Sequence, residues 1–165
     1  MAGPPPTATA EERLEHALGL AFAHLGRRER TVAEVLAHLA KREVDDATAE
    51  AAIAELRRQD YLDDDAFAGR FVEDKRSLDG WGRERVERGL LARGVDRECA
   101  RRALEGVGHG DELDAALALL MRRYPAPLED PREARKAFGV LVRKGYDGEV
   151  AGDAVRAHAR GDVLS

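Results

Sequence analysis

Between Arg83 and Arg102 the chain carries seven arginines, Arg83, Arg85, Arg88, Arg93, Arg97, Arg101 and Arg102, against four acids, Glu84, Glu87, Asp96 and Glu98. The planar guanidinium fork suits phosphates and carboxylates, so a local excess of three positive charges (7 − 4) points to contact with a nucleic acid or with an acidic protein surface. The blander account is a solvated helix face. Helical spacing sets Arg85 and Arg88 away from the apolar Val86 and Leu90, hence outward. Arg70, Lys75 and Arg76 extend the patch upstream, diluted by Glu73, Asp74 and Asp79. The single tryptophan, Trp81, lies between Gly80 and Gly82. It either covers the junction of two helices or serves as an exposed anchor that inserts into a partner or stacks on a base.

Other reactive residue types fail on spacing. Asp60, Asp63, Asp64 and Asp65 invite a metal reading, yet a calcium loop starting at Asp63 would put Phe67 at a ligand position and Ala68 where glycine is needed. Helix capping explains these acids better. His16, His24, His38, His109 and His158 show no paired ligand spacing. A Walker phosphate loop and a dinucleotide fingerprint are both missing, and neither Ser77 nor Ser165 sits in a nucleophile elbow. Cys99, at a helix start but without a nearby histidine, reads as a small packing residue. The expectation is a binding protein with no cofactor and no metal, not an enzyme.

Composition describes the elements that position these residues. The 165-residue chain is 44% hydrophobic, 5% aromatic and 36% charged, which favours closely packed helices with solvated outer faces. Its net charge of −5 argues against DNA binding by overall electrostatics. One cysteine fits a reducing, cytoplasmic setting. The longest apolar stretch, Ala115 to Met121, is far short of the roughly 20 residues a membrane span needs. Residues 1–9, with Pro4, Pro5 and Pro6, read as a frayed tail.

The most informative pattern is self-similarity at a spacing of 51 residues. Leu39, Leu90 and Leu141 align, as do Arg42, Arg93 and Lys144; Val44, Val95 and Tyr146; and Asp45, Asp96 and Asp147. Ala49, Ala100 and Ala151 follow, then Ala52, Ala103 and Ala154, then Ile53, Leu104 and Val155. The aspartates precede amphipathic stretches and predict N-caps. Ala49, Ala52, Ile53 and Leu56 trace one buried face. Gly94 and Gly145 fall where a helix ends in a left-handed residue, whereas Glu43 occupies that place in the first copy. Thr9 with Glu12 and Thr31 with Glu34 match the reciprocal capping box, and Asp130-Pro131 marks another start. Helices are expected near 10–26, 32–42, 46–59, 64–77, 83–93, 97–107, 111–124, 131–144 and 148–160. The fold class is therefore all-α: three tandem three-helix repeats in an elongated array with scope for curvature, divided as 10–60, 61–108 and 109–165. Tyr61 and Leu62 are expected to pack between the first two units. Gly106, Gly108 and Gly110 predict that the second joint is the hinge.

Tyr61-Leu62-Asp63-Asp64-Asp65-Ala66-Phe67-Ala68, then Gly80 and Arg83, then Leu90-Leu91-Ala92-Arg93-Gly94-Val95-Asp96 resemble the core of the RecX family, regulators of the RecA recombinase. Arg143-Lys144-Gly145-Tyr146 resembles the signature of its third unit, and the likeness spans roughly residues 14 to 157. It departs at Trp81, where the family commonly has proline, at Glu43, which replaces a common glycine, and at Arg30-Thr31, which replaces an arginine-serine pair. The resemblance implies a protein that lodges in the groove of a RecA filament on single-stranded DNA and slows ATP turnover and strand exchange. RecA, and with it single-stranded DNA, would be the partners of a monomeric chain, met through Arg70, Lys75, Arg76, Trp81, Arg83, Arg85, Arg88, Arg143 and Lys144. The rival reading is a DNA-binding regulator of helix-turn-helix type, which three-helix units also permit.

Overall fold

A computed structural model describes residues 3–162, and among these it forms nine α-helices and no strand. They are α1 (Ala10–Leu25), α2 (Val32–Lys41), α3 (Asp46–Arg58), α4 (Asp64–Ser77), α5 (Arg83–Ala92), α6 (Arg97–Leu104), α7 (His109–Arg123), α8 (Pro131–Lys144) and α9 (Gly148–Ala159). Asp45, Asp96 and Asp147 each accept the amide three residues on, as short carboxylates at helix starts should. Thr9 and Glu12 close the reciprocal box. At α2 only half of it forms: Thr31 accepts the Glu34 amide at 3.2 Å, while the Glu34 carboxylate turns away to Arg93. The helix α6 stops at Leu104, short of the expected 107, and α7 begins earlier than expected because Asp111 accepts the Gly108 amide at 3.0 Å.

Each trio surrounds its own core. Leu39, Leu90 and Leu141, the matched leucines, are fully buried in three separate apolar clusters, with Ala52, Ala100 and Ala154 equally enclosed. Small side chains let the first and third helices of each trio approach closely. The segment before α1 is tied down in part, since Ala8 is buried and its carbonyl accepts from Arg13 at 2.5 Å.

Units join through one device used twice. The turn after α5 meets the start of α2, where the Thr31 hydroxyl donates to the Arg93 carbonyl at 2.6 Å. Fifty-one residues on, the turn after α8 meets the start of α5: the Gly82 amide donates to the Lys144 carbonyl at 2.8 Å and the Glu84 amide to the Gly145 carbonyl at 3.1 Å. Gly94 and Gly145 have φ of 86° and 101°, and a Cβ on either would overlap Ala33 or Arg85. Glu43, in the first unit, is also left-handed at φ 61°, but among the described residues its turn docks on no second helix as those of Gly94 and Gly145 do, so a side chain is tolerated.

Two expectations about the joints are corrected. Tyr61 does not pack between units; it is 56% exposed and meets Phe22 of α1 edge-on at 5.0 Å, while Leu62 joins the first core. The second joint, expected to be a hinge, is clamped. The Arg83 guanidinium donates to the carbonyls of Leu104 and Val107, and the buried Glu112 carboxylate accepts from Arg76 at 2.9 Å and from the Arg83 amide. The glycines leave the joint pliable in sequence, but side chains from both flanking units hold it.

Candidate functional site

The residues singled out from sequence, Arg70 excepted, gather at the junction of the second and third units, where α4, α5 and the end of α8 converge. Trp81 rests on α5 because position 89 is glycine: a Cβ there would stand 3.2 Å from the indole and 2.8 Å from Phe71. Phe71 meets the indole edge-on at 6.3 Å. The Arg85 guanidinium lies 4.2 Å and the Lys75 ammonium 4.7 Å from the ring centroid, both in cation–π range. Half-buried and overlaid by two cations, Trp81 covers the junction of α4 and α5 and offers little open ring for a base.

Asp79 draws the third unit into this cluster. Its carboxylate takes Lys75 at 3.0 Å and its carbonyl takes the Lys144 ammonium at 2.9 Å. Next to it the Gly80 carbonyl accepts the Tyr146 hydroxyl at 3.0 Å. Tyr146 is buried, and burial, with the nearby Glu112 carboxylate second, pushes its pKa up to about 12. Its hydroxyl therefore stays protonated and keeps donating.

The arginines divide into two groups. Arg76 and Arg83 hold the joint, and Arg70 reaches across to Glu29 between the first two units. Arg93 pairs with Glu34, Arg102 with Asp65, and Arg101 with Glu98 and Glu105. The segment's positive excess is thus largely absorbed internally. Arg85, Arg88, Arg97 and Arg143 form no ion pair among the described residues; of these Arg88, Arg97 and Arg143 are exposed. Arg85 touches the third unit, donating weakly to the Arg143 carbonyl at 3.4 Å. What remains for a partner is a set of unneutralised guanidinium groups, Arg85, held over the Trp81 ring, and the exposed Arg88 and Arg143, suited to phosphate or carboxylate oxygens.

Sequence reading missed Glu112 and Gly89, and counted Asp79 only as an acid diluting the patch. Glu112 had a legible signal, since it falls in the first turn of an amphipathic helix yet on its buried side. Asp79 and Gly89 had none, because their partners are distant backbone and aromatic groups. The acidic run Asp63, Asp64 and Asp65 resolves into three separate tasks: Asp63 caps α4, Asp64 accepts the Val32 amide, and Asp65 takes Arg102 and the Cys99 thiol. Among the described residues no group of three or more His, Cys, Asp or Glu side chains is placed to hold a metal ion. No helix of the described chain is long and apolar enough to cross a membrane.

Comparison with known proteins agrees with this architecture. The family model for the first three-helix domain of RecX matches residues 17–56, and that for its second three-helix domain matches residues 63–104. The regulatory protein RecX of Mycobacterium avium (strain 104) is 32% identical over 157 residues, covering 93% of this chain and 91% of that protein. That of Deinococcus radiodurans is 33% identical over 150 residues, covering 90% and 71%. The crystal structure of RecX from Lactobacillus salivarius shares the fold, with a TM-score of 0.78 and 19% identity over 90% of this chain and 97% of that one. A second crystal structure of regulatory protein RecX gives a TM-score of 0.69 at 22% identity, over 86% and 70%.

Proposed function

The chain belongs to the RecX family of regulatory proteins, and from that premise we propose that it lodges on the filament a RecA recombinase forms on single-stranded DNA and reduces its ATP hydrolysis and strand exchange. The observation that carries this reading is the set of unneutralised arginines, Arg88, Arg85 and Arg143, spanning two clamped units. Arg85, already held over the Trp81 ring, can meet phosphates of the bound strand or carboxylates on filament subunits at little ordering cost, and the exposed Arg88 and Arg143 add to it. Contacts from several units on one chain add through effective concentration, so weak individual contacts suffice. Occupying the groove a second strand must enter, or favouring a subunit arrangement unfit for turnover, inhibits without an active site.

The protein works as a monomer in the cytoplasm in this account. The helix-turn-helix reading has less support: on α6, the helix after the Gly94 turn that would enter a groove, Arg101 and Arg102 are already paired with Glu98, Glu105 and Asp65. The test is co-sedimentation with RecA filaments on single-stranded DNA. The full chain is expected to pellet with filaments and to stay in solution with free RecA. Equal binding to a defined duplex without recombinase would favour the rival.

A further inference from the structure

The internal repeat supplies a control for reading α8. In the first two units the start of the second helix receives the next unit: Thr31, Ala33 and Glu34 at α2 meet the turn at Arg93 and Gly94, and Gly82, Glu84 and Arg85 at α5 meet the turn at Lys144 and Gly145. In the third unit the matching helix is α8, and no unit follows to cover it among the described residues.

Its chemistry differs from that of its counterparts. The segment 131–144 carries Arg132, Arg135, Lys136, Arg143 and Lys144 against one acid, Glu133. By the spacing of 51, Lys136 stands where α2 has Glu34, the carboxylate that receives Arg93. The cation there matches Arg85 of α5 and inverts the charge of α2 alone. Arg135, Phe138, Gly139 and Val142 follow the i, i+3, i+4, i+7 spacing of an apolar face, yet Phe138 is 39% and Val142 43% exposed. The buried side of the helix is a different set, Ala137, Val140 and Leu141. Folding does not require an aromatic at this place, because Glu87 occupies the same register in α5 and is exposed. Gly139 flattens the surface between the two apolar groups, with the Arg143 guanidinium lying back over it.

We propose that the outer face of α8 docks an acidic amphipathic helix of a protein partner, with Phe138 and Val142 as the apolar anchor and Arg132, Arg135 and Arg143 as carboxylate receivers. This goes beyond the filament reading and stands without it. Self-association of the full chain alone that Phe138→Glu abolishes would reassign the face to a second copy of this chain, whose first turn carries Glu43, Asp45 and Asp46. A nucleic acid fits less well: Val142 offers no ring face for a base, and the ring tip of Phe138 already reaches Gly148 at the start of α9. An amphipathic helix meets both needs, apolar groups at i and i+4 and carboxylates beside them.

The test uses the full chain and two labelled probes at about 0.1 M salt, where surface charges still act over roughly 10 Å. One is a synthetic amphipathic helix with leucines at i and i+4 flanked by glutamates; the other is oligothymidine. The peptide is expected to bind, with affinity falling as salt rises, and to bind Phe138→Glu and, separately, Arg135→Glu/Arg143→Glu roughly tenfold or more weakly. Phe138→Glu installs the residue that α5 carries in the same register, so it keeps the fold. Glu87→Phe, the reciprocal change, leaves peptide binding unaltered. Equal peptide binding by wild type and both variants, or no peptide binding, overturns the proposal. So does tighter binding of oligothymidine that the same variants abolish, which would reassign the face to nucleic acid.

Discussion

The hydroxyl of Thr31 donates to the carbonyl of Arg93 across 2.6 Å, and this bond between two helix ends ties the first unit to the second. Gly82 and Lys144 stand in the same relation one repeat later, with a backbone amide replacing the hydroxyl. The internal repeat is therefore a repeat of docking as well as of helices. It lets three small cores share stability along one chain, and it fixes the spacing of the cations that different units present.

Gly94→Ala and Gly145→Ala test that docking. Each places a Cβ on a left-handed residue, costing about 1–2 kcal/mol, and drives it into Ala33 or Arg85, adding roughly 1–3 kcal/mol. Urea unfolding should show clear destabilisation for both. Gly110→Ala, in the first turn of α7 and facing open space, should be neutral or slightly stabilising.

Glu112 is the pin of the second joint. Its side chain is 7% exposed and that of its partner Arg76 15%, so Glu112→Ala leaves an uncompensated charge and an unaccepted Arg83 amide, at a cost of roughly 3 kcal/mol. Replacing both, as Arg76→Met with Glu112→Leu, should cost less than the sum of the two single changes. Thermal unfolding of the full cycle measures it; strictly additive losses would show that the two residues act independently.

His24 and His38 stack ring on ring at 4.0 Å, a contact that brings α1 and α2 together. Burial lowers both pKa values, with His38 and Arg30 adding to the effect on His24, and Arg42 and Arg30 to that on His38. The unfolded chain takes up protons first as pH falls through about 6.5, so the stability these neutral rings contribute is present above that pH and is lost below it. Unfolding midpoints at pH 7.5 and 5.5 should differ more for the wild type than for His24→Gln/His38→Gln. An equal difference would remove the pair from the account.

Cys99 is buried against α4, and burial, then its bond to the Asp65 carboxylate, pushes its thiol up to about 12. Thiolate is the reactive form, so a disulfide reagent should modify the native protein very slowly and the urea-unfolded protein fast. Rapid modification without unfolding would contradict the burial described here.

Much of the fold was legible because helix period, capping residues and the repeat all act locally. Leu39, Leu90 and Leu141 announce three cores by register alone, and Asp45, Asp96 and Asp147 announce three helix starts. The joints were not legible. Their bonds end on carbonyls such as those of Arg93 and Lys144, which every residue possesses, so no side-chain pattern marks them. The candidate site was half legible for a related reason. A charge count over one segment includes Arg83 and Arg76 but cannot see that Glu112, distant in sequence, has already engaged them. The apolar residues on α8 were passed over because the buried stripe of that helix, Ala137, Val140 and Leu141, satisfies the amphipathic pattern without them.

ATP hydrolysis by RecA filaments on single-stranded DNA, followed as this protein is added to saturation, bears most directly on the proposed regulation. The wild type should suppress turnover, and the charge-reversed Arg85→Glu/Arg88→Glu/Arg143→Glu chain, if folded by circular dichroism, should need at least roughly tenfold more protein for the same effect. Unchanged turnover at saturating wild-type protein would contradict the account, and equal suppression by the triple variant would remove the arginine set from it.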